Sequence, residues 1–235
     1  MLIAALVAIA SVVMINLGLW QLRRLGERRA LNAQIAAHMT LPRLMIDGEP
    51  PESERLNYRP VAVTGAYDFS EEIVLRNRSL SNVAGVHLIT PLLIEGGDQA
   101  VLIDRGWIPY EYSTREQRTA YASPKEVVTV NGLLRLSQTA SAPIGASDPT
   151  LSPSLPRLDA WFWLNIPQIQ NQIPYRLLSF FVEQDPNSDP KTLPVTRHEI
   201  DLSEGPHVSY AIQWFSFAAI LVIGSFAFIR YNIRS

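Results

Sequence analysis

Two long apolar segments flank a central region in which apolar and polar residues alternate. Ser11 and Asn16 are the clearly polar residues of the first segment, residues 1–20, and the second segment, residues 211–229, is similarly apolar. A helix of about 20 residues is long enough to cross the roughly 30 Å hydrocarbon core of a lipid bilayer. The pattern therefore predicts a transmembrane helix near each end of the chain.

The first apolar segment also has an alternative interpretation as a cleaved signal peptide. Basic residues do not precede it and it is long for the apolar core of such a peptide, so an anchor is favoured. The second segment lies too late in the chain to be a signal peptide. We expect a first transmembrane helix over residues 1–22, a polar helical stalk over 23–40, a second transmembrane helix over 207–230 and a cytoplasmic tail over 231–235.

The region between the helices, residues 41–206, is predicted to be β-rich, because its apolar residues recur with a period of two. Turn signals such as Gly96-Gly97-Asp98 and Asn131-Gly132 separate the apolar runs. Several strands joined by short turns indicate an antiparallel barrel or sandwich. The predicted strands cover residues 61–67, 72–77, 86–94, 100–107, 127–136 and 177–183.

Helices and loops complete the expected central domain. Residues 113–121 are predicted to form a surface helix, and Pro167 is suited to open a short helix after Ile166. Residues 141–156 and 185–194 are rich in proline or serine and lack apolar periodicity, so we expect loops there.

Composition supports this division and excludes some functions. Of 235 residues, 47% are hydrophobic and 18% are charged, a balance between that of a soluble domain and that of a many-span transporter. A net charge of −2 without a long basic run predicts no nucleic-acid partner. Cysteine is absent, which excludes disulfides, thiolate metal ligands and thiol chemistry.

The arginines that flank the two apolar segments give conflicting indications of orientation. Arg230 and Arg234 follow the second segment and favour a cytoplasmic location for both termini, but four arginines directly follow the first segment and favour the opposite. Long domains are translocated with little regard to charge, so we expect an extracytoplasmic central domain. Trp20 and Trp214 would then lie at the outer interface. The four opposing arginines are Arg23, Arg24, Arg28 and Arg29.

The central region shows no convincing catalytic constellation in its sequence. Nucleophile elbows, phosphate-binding glycine loops and metalloprotease helices are absent, and the four histidines do not fall at metal-ligand spacings. Asp104 and Arg105 suggest an acid beside a base, but we interpret them as a structural ion pair at a strand terminus, with Trp107 packed beside them. His87 is expected to point to the solvent side of its strand.

His207 is the residue with the strongest functional interpretation. It follows Gly205-Pro206 at the start of the second span, and helical spacing places Tyr210, Ala211, Trp214 and Ala218 on its face. One interpretation is an interfacial histidine without a ligand. The other is an imidazole that binds haem iron while the macrocycle lies against the helix. The residues alone leave both open and favour the first, because a single histidine is a weak metal signal.

Five blocks of the sequence, in order, resemble the Surfeit locus protein 1 family, whose members are assembly factors for haem-copper cytochrome c oxidase. The first block ends the first span with a Trp-Gln pair and following arginines. The blocks are residues 17–25 (LGLWQLRRL), 58–78 with YRPV, GAYD and EIVLRNR, 85–92 (GVHLITPL), 101–109 (VLIDRGWIP) and 207–215 (HVSYAIQWF). Departures from the family pattern are Gly205-Pro206 and Val208.

The resemblance implies a non-enzymatic assembly factor that handles haem A during maturation of the oxidase catalytic subunit. It assigns His207 as the proposed haem ligand and places both termini inside and the central domain outside. It implies the catalytic subunit as a partner and haem A synthase as a further candidate. A cleavable mitochondrial presequence is not expected, because the sequence begins with the span, so a bacterial plasma membrane is the simplest location.

These expectations combine into one hypothesis for a haem A site. His207 is the axial donor, Tyr210, Ala211 and Trp214 form an apolar wall, and Arg23 and Arg24 meet the propionates. The alternative for both arginines is contact with lipid phosphates. Alternative functions are a permanent accessory subunit of a respiratory complex and, with less support, a membrane-anchored extracytoplasmic enzyme.

Overall fold

The protein divides into two compact units, which we call the helical unit and the barrel unit. The helical unit comprises Met1–Ala36 and Ile200–Ser235, and the barrel unit comprises Ala37–Glu199. The computed structural model describes residues 2–122, 126–139, 147–189, 191–198 and 200–234.

Two long helices, α1 (Leu2–Met39) and α4 (His207–Arg234), dominate the helical unit. Both are long and apolar enough to cross a membrane, and only 11% and 6% of their most apolar stretches are buried. Large side chains such as Ile220 and Phe226 are instead exposed. A core helix of a water-soluble protein would bury such residues, so both helices are candidate membrane spans.

Small residues bring α1 and α4 together within the helical unit. Ser11 and Gly18 are seven residues apart on α1 and are buried, as are Ala211 and Ala218 on α4. A Cβ atom on Gly18 would lie 2.6 Å from Cε1 of Phe215, so a larger residue would require the Phe215 ring to shift. Such small-residue contacts are typical of packed membrane helices.

The segment before α4 bonds to the polar end of α1. The guanidinium of Arg28 donates to the Asp201 carboxylate at 3.0 Å, and that of Arg29 donates to the Glu204 carboxylate at 2.7 Å and 2.9 Å. Gly205 then adopts a φ of +70°, a left-handed conformation that glycine tolerates, before α4 begins. The charges of two of the four arginines that follow the first span are therefore offset by this segment.

Within its described residues, the barrel unit contains eight strands, five of which close into a barrel. The closed strands lie in the order β2, β6, β8, β5, β4, and β2 pairs again with β4. The closing contact is tight: a Cβ atom on Gly65 of β2 would lie 2.1 Å from the carbonyl oxygen of Leu93. The strands are β1 (Leu44–Ile46), β2 (Pro60–Tyr67), β3 (Ile73–Leu80), β4 (Val83–Ile94), β5 (Gln99–Pro109), β6 (Val127–Leu136), β7 (Ala160–Trp161) and β8 (Arg176–Gln184).

Of the two predicted architectures, a barrel or a sandwich, the structure forms a barrel, and the predicted antiparallel pairing holds only in part. β8 pairs antiparallel with β6 and parallel with β5. The short strands β1 and β7 also pair parallel, with β2 and β3 respectively. The parallel pairs arise because long connections, rather than tight turns, lead into β8 and β7.

The barrel unit has apolar residues on both faces of its central strands. Val101 and Ile103 of β5 pack in the cluster that fills the barrel, whereas Ala100 and Leu102 of the same strand pack in a second cluster on the outer face. Trp161 is fully buried in that second cluster. The continuous apolar run in β5 therefore reflects burial on both faces of the strand.

Some local predictions need correction. Asn131 and Gly132 lie inside β6 rather than in a turn. Residues 113–121 form short α2 (Arg115–Arg118) and a following 3-10 turn instead of one helix. Pro167 does lie in a short helix, α3 (Ile166–Ile169), whose N-terminus is capped by the side chain of Asn165. In the predicted 141–156 loop, residues 141–146 lie outside the described residues, as does Pro190 in the predicted 185–194 loop.

Candidate functional site

His207 lies at the first residue of α4 and contacts α1. Its Nδ1 atom is 2.8 Å from Oε1 of Gln21, a residue that is only 9% exposed. An amide oxygen accepts but cannot donate, so a contact with Oε1 corresponds to the tautomer in which Nδ1 carries the proton. The lone pair of Nε2 is then available.

The other ring nitrogen of His207, Nε2, faces no hydrogen-bonding partner within the described part of the chain. Among the residues that the structure describes, no side chain or backbone group bonds to Nε2. The imidazole is partly exposed at the beginning of an apolar helix. It therefore presents an unoccupied donor nitrogen, which is the chemical group that a haem iron requires from histidine.

The residues predicted to form an apolar wall occupy neighbouring positions on α4. With about 100° of rotation per residue, His207, Tyr210, Ala211 and Trp214 share an arc of about 100°. Ala211 is buried, Tyr210 is exposed, and Trp214 is half-buried with its ring 6.2 Å from that of Phe217 in an edge-to-face contact. The aromatic side chains are thus accessible beside the imidazole's helix face.

Arg23 and Arg24 are placed differently from one another. Arg23 is two residues after Gln21, so it lies on the opposite side of α1 from the contact with His207. It is exposed, and no described residue bonds to it. Arg24 lies closer to the Gln21 face and pairs with Glu27 at 2.8 Å. The structure therefore brings Gln21 to His207 but does not bring Arg23 there.

Gln21 belongs to the Trp-Gln pair within residues 17–25, but the sequence alone indicated no role for it. The feature that could have identified Gln21 is its position three residues after Gly18, on the buried small-residue face of α1. Its side-chain amide is buried there. Buried polar side chains usually have a hydrogen-bond partner, and here the partner is the candidate ligand.

The polar residues of the barrel unit form structural pairs instead. Asp104 lies within β5, not at its end, and bonds to Nδ1 of His87 at 2.9 Å. A register shift between Leu88 and Ile89 places Asp104 beside His87. The prediction that His87 points to solvent is therefore wrong. Arg105 pairs with Glu72 rather than Asp104, and Trp107 is buried as predicted.

The His87–Asp104 pair shifts both titrations. Burial alone would lower the pKa of His87, but the Asp104 carboxylate outweighs it and the pKa is raised. Burial alone would raise the pKa of Asp104, but His87 and the backbone N–H of Gly106 lower it. Each partner therefore favours the charged form of the other.

Glu72 is the centre of a second buried group. It accepts hydrogen bonds from Thr90 at 2.6 Å and Arg105 at 3.1 Å, and lies 3.5 Å from Arg118. Arg118 also pairs with Asp159 at 2.8 Å. Two arginines and two carboxylates thus offset one another, which is the arrangement of a structural network rather than a vacant ligand site.

Arg105 extends this group to two aromatic rings. Its guanidinium carbon lies 5.2 Å from the ring centre of Tyr67 and 4.9 Å from that of Phe69. Burial raises the pKa of Tyr67 to about 12, although Arg105 acts to lower it. Over the described ranges, His, Asp and Glu side chains do not form a group of three or more that could hold a metal ion.

These features define a β-barrel domain inserted in sequence between two helices that are long and apolar enough to span a membrane. Residues 8–219 match the model of the SURF1 family, and the chain belongs to that family. The family is known in general for assembly factors of cytochrome oxidase.

Relatives in bacteria and eukaryotes are similar over most of the chain. A SURF1-like protein of Rickettsia prowazekii (strain Madrid E) is 24% identical over 224 residues, which cover 93% of this chain and 86% of the relative. A SURF1-like protein of Monosiga brevicollis is 25% identical over 234 residues, which cover 93% of this chain and 84% of the relative. Surfeit locus protein 1 of Rattus norvegicus is 23% identical over 218 residues, which cover 87% of this chain and 68% of the relative. The resemblance seen in the sequence motifs is confirmed.

Proposed function

We propose that this protein is a membrane-bound assembly factor for haem-copper cytochrome c oxidase that binds haem A and assists its insertion into the catalytic subunit. The observation that carries the proposal is the imidazole of His207, whose Nδ1 is bonded to Gln21 and whose Nε2 has no partner among the described residues. Family membership supports the assembly role.

The residues around His207 fit the needs of a haem. His207 would hold the iron of a bound haem A through Nε2, and the haem would supply the iron centre that the oxidase requires. Tyr210 and Trp214 provide accessible aromatic surface on the same part of α4, whereas Ala211 is buried in the contact with α1. Of the two proposed propionate partners, Arg24 is nearer the Gln21 face than Arg23, and contact with lipid phosphates is the alternative for both.

The proposed topology places both termini in the cytoplasm and the barrel unit outside a bacterial plasma membrane. Three of the four arginines after the first span have carboxylate partners, namely Arg24 with Glu27, Arg28 with Asp201 and Arg29 with Glu204. This pairing lowers the cost of placing a basic cluster on the outer side. Reporter fusions after Arg234 should therefore show a cytoplasmic location, and fusions within residues 141–156 an external one. A cytoplasmic signal from the loop would contradict the topology.

The haem-binding proposal is tested with His207→Ala and His207→Met. Purified from cells that make haem A, the alanine variant should lose the haem absorption and the methionine variant should shift or lose it, with membrane levels unchanged. Gln213→Ala, which removes an exposed polar side chain from the same helix, is the matched control and should retain haem. Arg23→Gln should weaken retention less than His207→Ala. If His207→Ala carries haem at the wild-type ratio with an unchanged spectrum, the ligand lies elsewhere and His87 is next to test.

The assembly role is tested in cells that lack the protein. The fraction of oxidase with its full haem complement should fall, while free haem A stays near normal because synthesis is a separate step. Loss of haem A itself would indicate an enzyme of haem A synthesis instead. Equal haem occupancy with and without the protein would contradict the haem role, and stoichiometric retention in the mature oxidase would indicate a permanent subunit.

A further inference from the structure

We infer that Gln21 is a positioning residue that holds His207 in the tautomer with the proton on Nδ1. The inference deepens the proposed haem function and rests on it only for the consequence in the loaded protein. The tautomer itself is a property of the protein without haem. The observation is the 2.8 Å contact between Nδ1 of His207 and Oε1 of Gln21.

The tautomer matters because a neutral imidazole carries one N–H proton. One ring nitrogen donates a hydrogen bond, and only the other has a lone pair for a metal. A hydrogen bond from Nδ1–H to an acceptor leaves the Nε2 lone pair free for a metal. Metal-binding histidines commonly have such a partner, which fixes ring orientation and makes the ligand a stronger donor. Gln21 has the position of this partner.

The surroundings of Gln21 hold its side chain in place. Gln21 is 9% exposed, and Leu25, one turn further along α1, is also buried. Gly18, one turn earlier, is packed against Phe215 of α4. On the other side of the contact, Gly205 and Pro206 fix the start of α4 and hence the backbone of His207. Both ends of the hydrogen bond are therefore anchored by the packing of the helical unit.

The same distance would also suit a reversed amide, in which the Gln21 NH₂ group donates to Nδ1. That arrangement would place the histidine proton on Nε2 and block the iron-binding nitrogen. The two arrangements predict opposite tautomers, so one measurement separates them.

The first experiment uses the full chain without haem in lipid nanodiscs, with ¹⁵N-labelled histidine. Long-range ¹H–¹⁵N correlation spectra at a pH where the imidazole is neutral report the tautomer, and the His207→Ala spectrum identifies the His207 signals. We expect the Nδ1–H form in the wild type and in Gln21→Glu, and a majority of Nε2–H in Gln21→Leu. Gln34→Leu, an exposed glutamine on α1, is the matched control and should leave the tautomer unchanged. A wild-type protein in the Nε2–H form would overturn the inference.

The second experiment titrates the same variants with purified haem A. Loss of the partner in Gln21→Leu should weaken binding about 10- to 100-fold, as for other second-layer partners of metal ligands. Gln21→Glu should still bind haem A. It should show a lower reduction potential and a higher iron–histidine stretching frequency, because a carboxylate partner makes the imidazole a stronger electron donor.

The outcomes separate this inference from the proposed function. If His207→Ala loses haem but Gln21→Leu binds it as tightly as the wild type, the positioning role is wrong and the haem function stands. If His207→Ala retains haem with an unchanged spectrum, the proposed ligand is wrong, whereas the tautomer measurement still decides the role of Gln21 on His207.

Discussion

The barrel unit and the helical unit differ in how far their side chains are buried and paired. In the barrel unit, Trp161 is fully buried and Glu72 is surrounded by arginine and threonine donors. In the helical unit, Ile220 is 68% exposed, and Nε2 of His207 has no partner within the ranges that the structure describes. Large exposed apolar surfaces mark contact with a membrane or a partner. The comparison indicates that the fold itself covers the apolar side chains of the barrel unit, whereas it leaves large apolar side chains of the helical unit exposed, as in a candidate membrane span.

The largest effect is expected from removing the centre of the buried charge group. Glu72→Ala leaves Arg105 and Arg118 without their shared carboxylate, which should destabilise the barrel unit by about 3–5 kcal/mol. Near-UV circular dichroism of the full chain during urea unfolding in mild detergent measures the change. Glu54→Ala, the same substitution at an exposed position, should leave the midpoint within about 0.5 kcal/mol of wild type. Equal midpoints for both variants would show that the buried group is not a structural centre.

The next largest effect concerns pH and the His87–Asp104 pair. His87→Gln removes a charged hydrogen bond that should contribute about 1.5–3 kcal/mol while both partners are ionised. The folded-state pKa of His87 is raised, so its contribution is complete below the unfolded value of about 6.5 and is lost as pH rises through the folded value. The pKa of Asp104 is lowered, so its contribution is present above the unfolded value and is lost as pH falls through the folded value.

The difference between wild type and His87→Gln should therefore be greatest in mildly acidic to neutral solution and should shrink in alkaline solution. Urea unfolding of both proteins from pH 5 to pH 9 measures it. A difference that grows steadily toward pH 9 would contradict the assignment of a charged pair.

In the helical unit, the sensitive feature is close packing rather than charge. Gly18→Leu should overpack the contact with Phe215 and destabilise the helix pair by about 1–3 kcal/mol. Gly26→Leu is the matched control, because nothing lies within 4 Å of a Cβ atom on Gly26.

The readout is the distance between spin labels at Ala8 and Val222, two residues that line one apolar cavity between α1 and α4. Cysteines can be introduced there without interference because the chain has none. The distance should increase or broaden in Gly18→Leu and stay at the wild-type value in Gly26→Leu. An unchanged distance in both would show that the small-residue contact does not set the helix spacing.

The smallest effect is expected from an exposed ion pair on α1. Arg24→Gln removes the pairing with Glu27, three residues away on the helix, and should change stability by only about 0.2–0.5 kcal/mol, and less at high salt. Thermal unfolding at low and high ionic strength measures this. A loss as large as that of Glu72→Ala would break the contrast, since it would mean that charges on the helical unit are also structural.

The sequence predicts the elements whose patterns are local. The alternation in residues 61–67 and 86–94 and the apolar runs at both ends match the observed β2, β4, α1 and α4. Strand direction does not follow from such patterns, because it depends on the path of the connections, and so the parallel pairing of β5 with β8 was not foreseen.

The candidate site shows the same limit. The Gly-Pro dipeptide before His207 indicates the start of a helix, and helical spacing predicts which residues share its face. The partner of the imidazole, Gln21, is 186 positions away in sequence and becomes visible only when the two helices pack. Likewise, the pairing of His87 with Asp104 depends on a register shift between two strands, which no periodicity in either strand predicts.

The position of β8 in the barrel has a consequence for the order of events during synthesis. β8 inserts between β5 and β6, yet it is the last of the barrel's strands to leave the ribosome, at residues 176–184. Until it arrives, β5 and β6 each have an unpaired edge, and such edges favour pairing with other chains. A chain halted before residue 176 should therefore aggregate or attract chaperones, while completion of the last strand releases a closed domain.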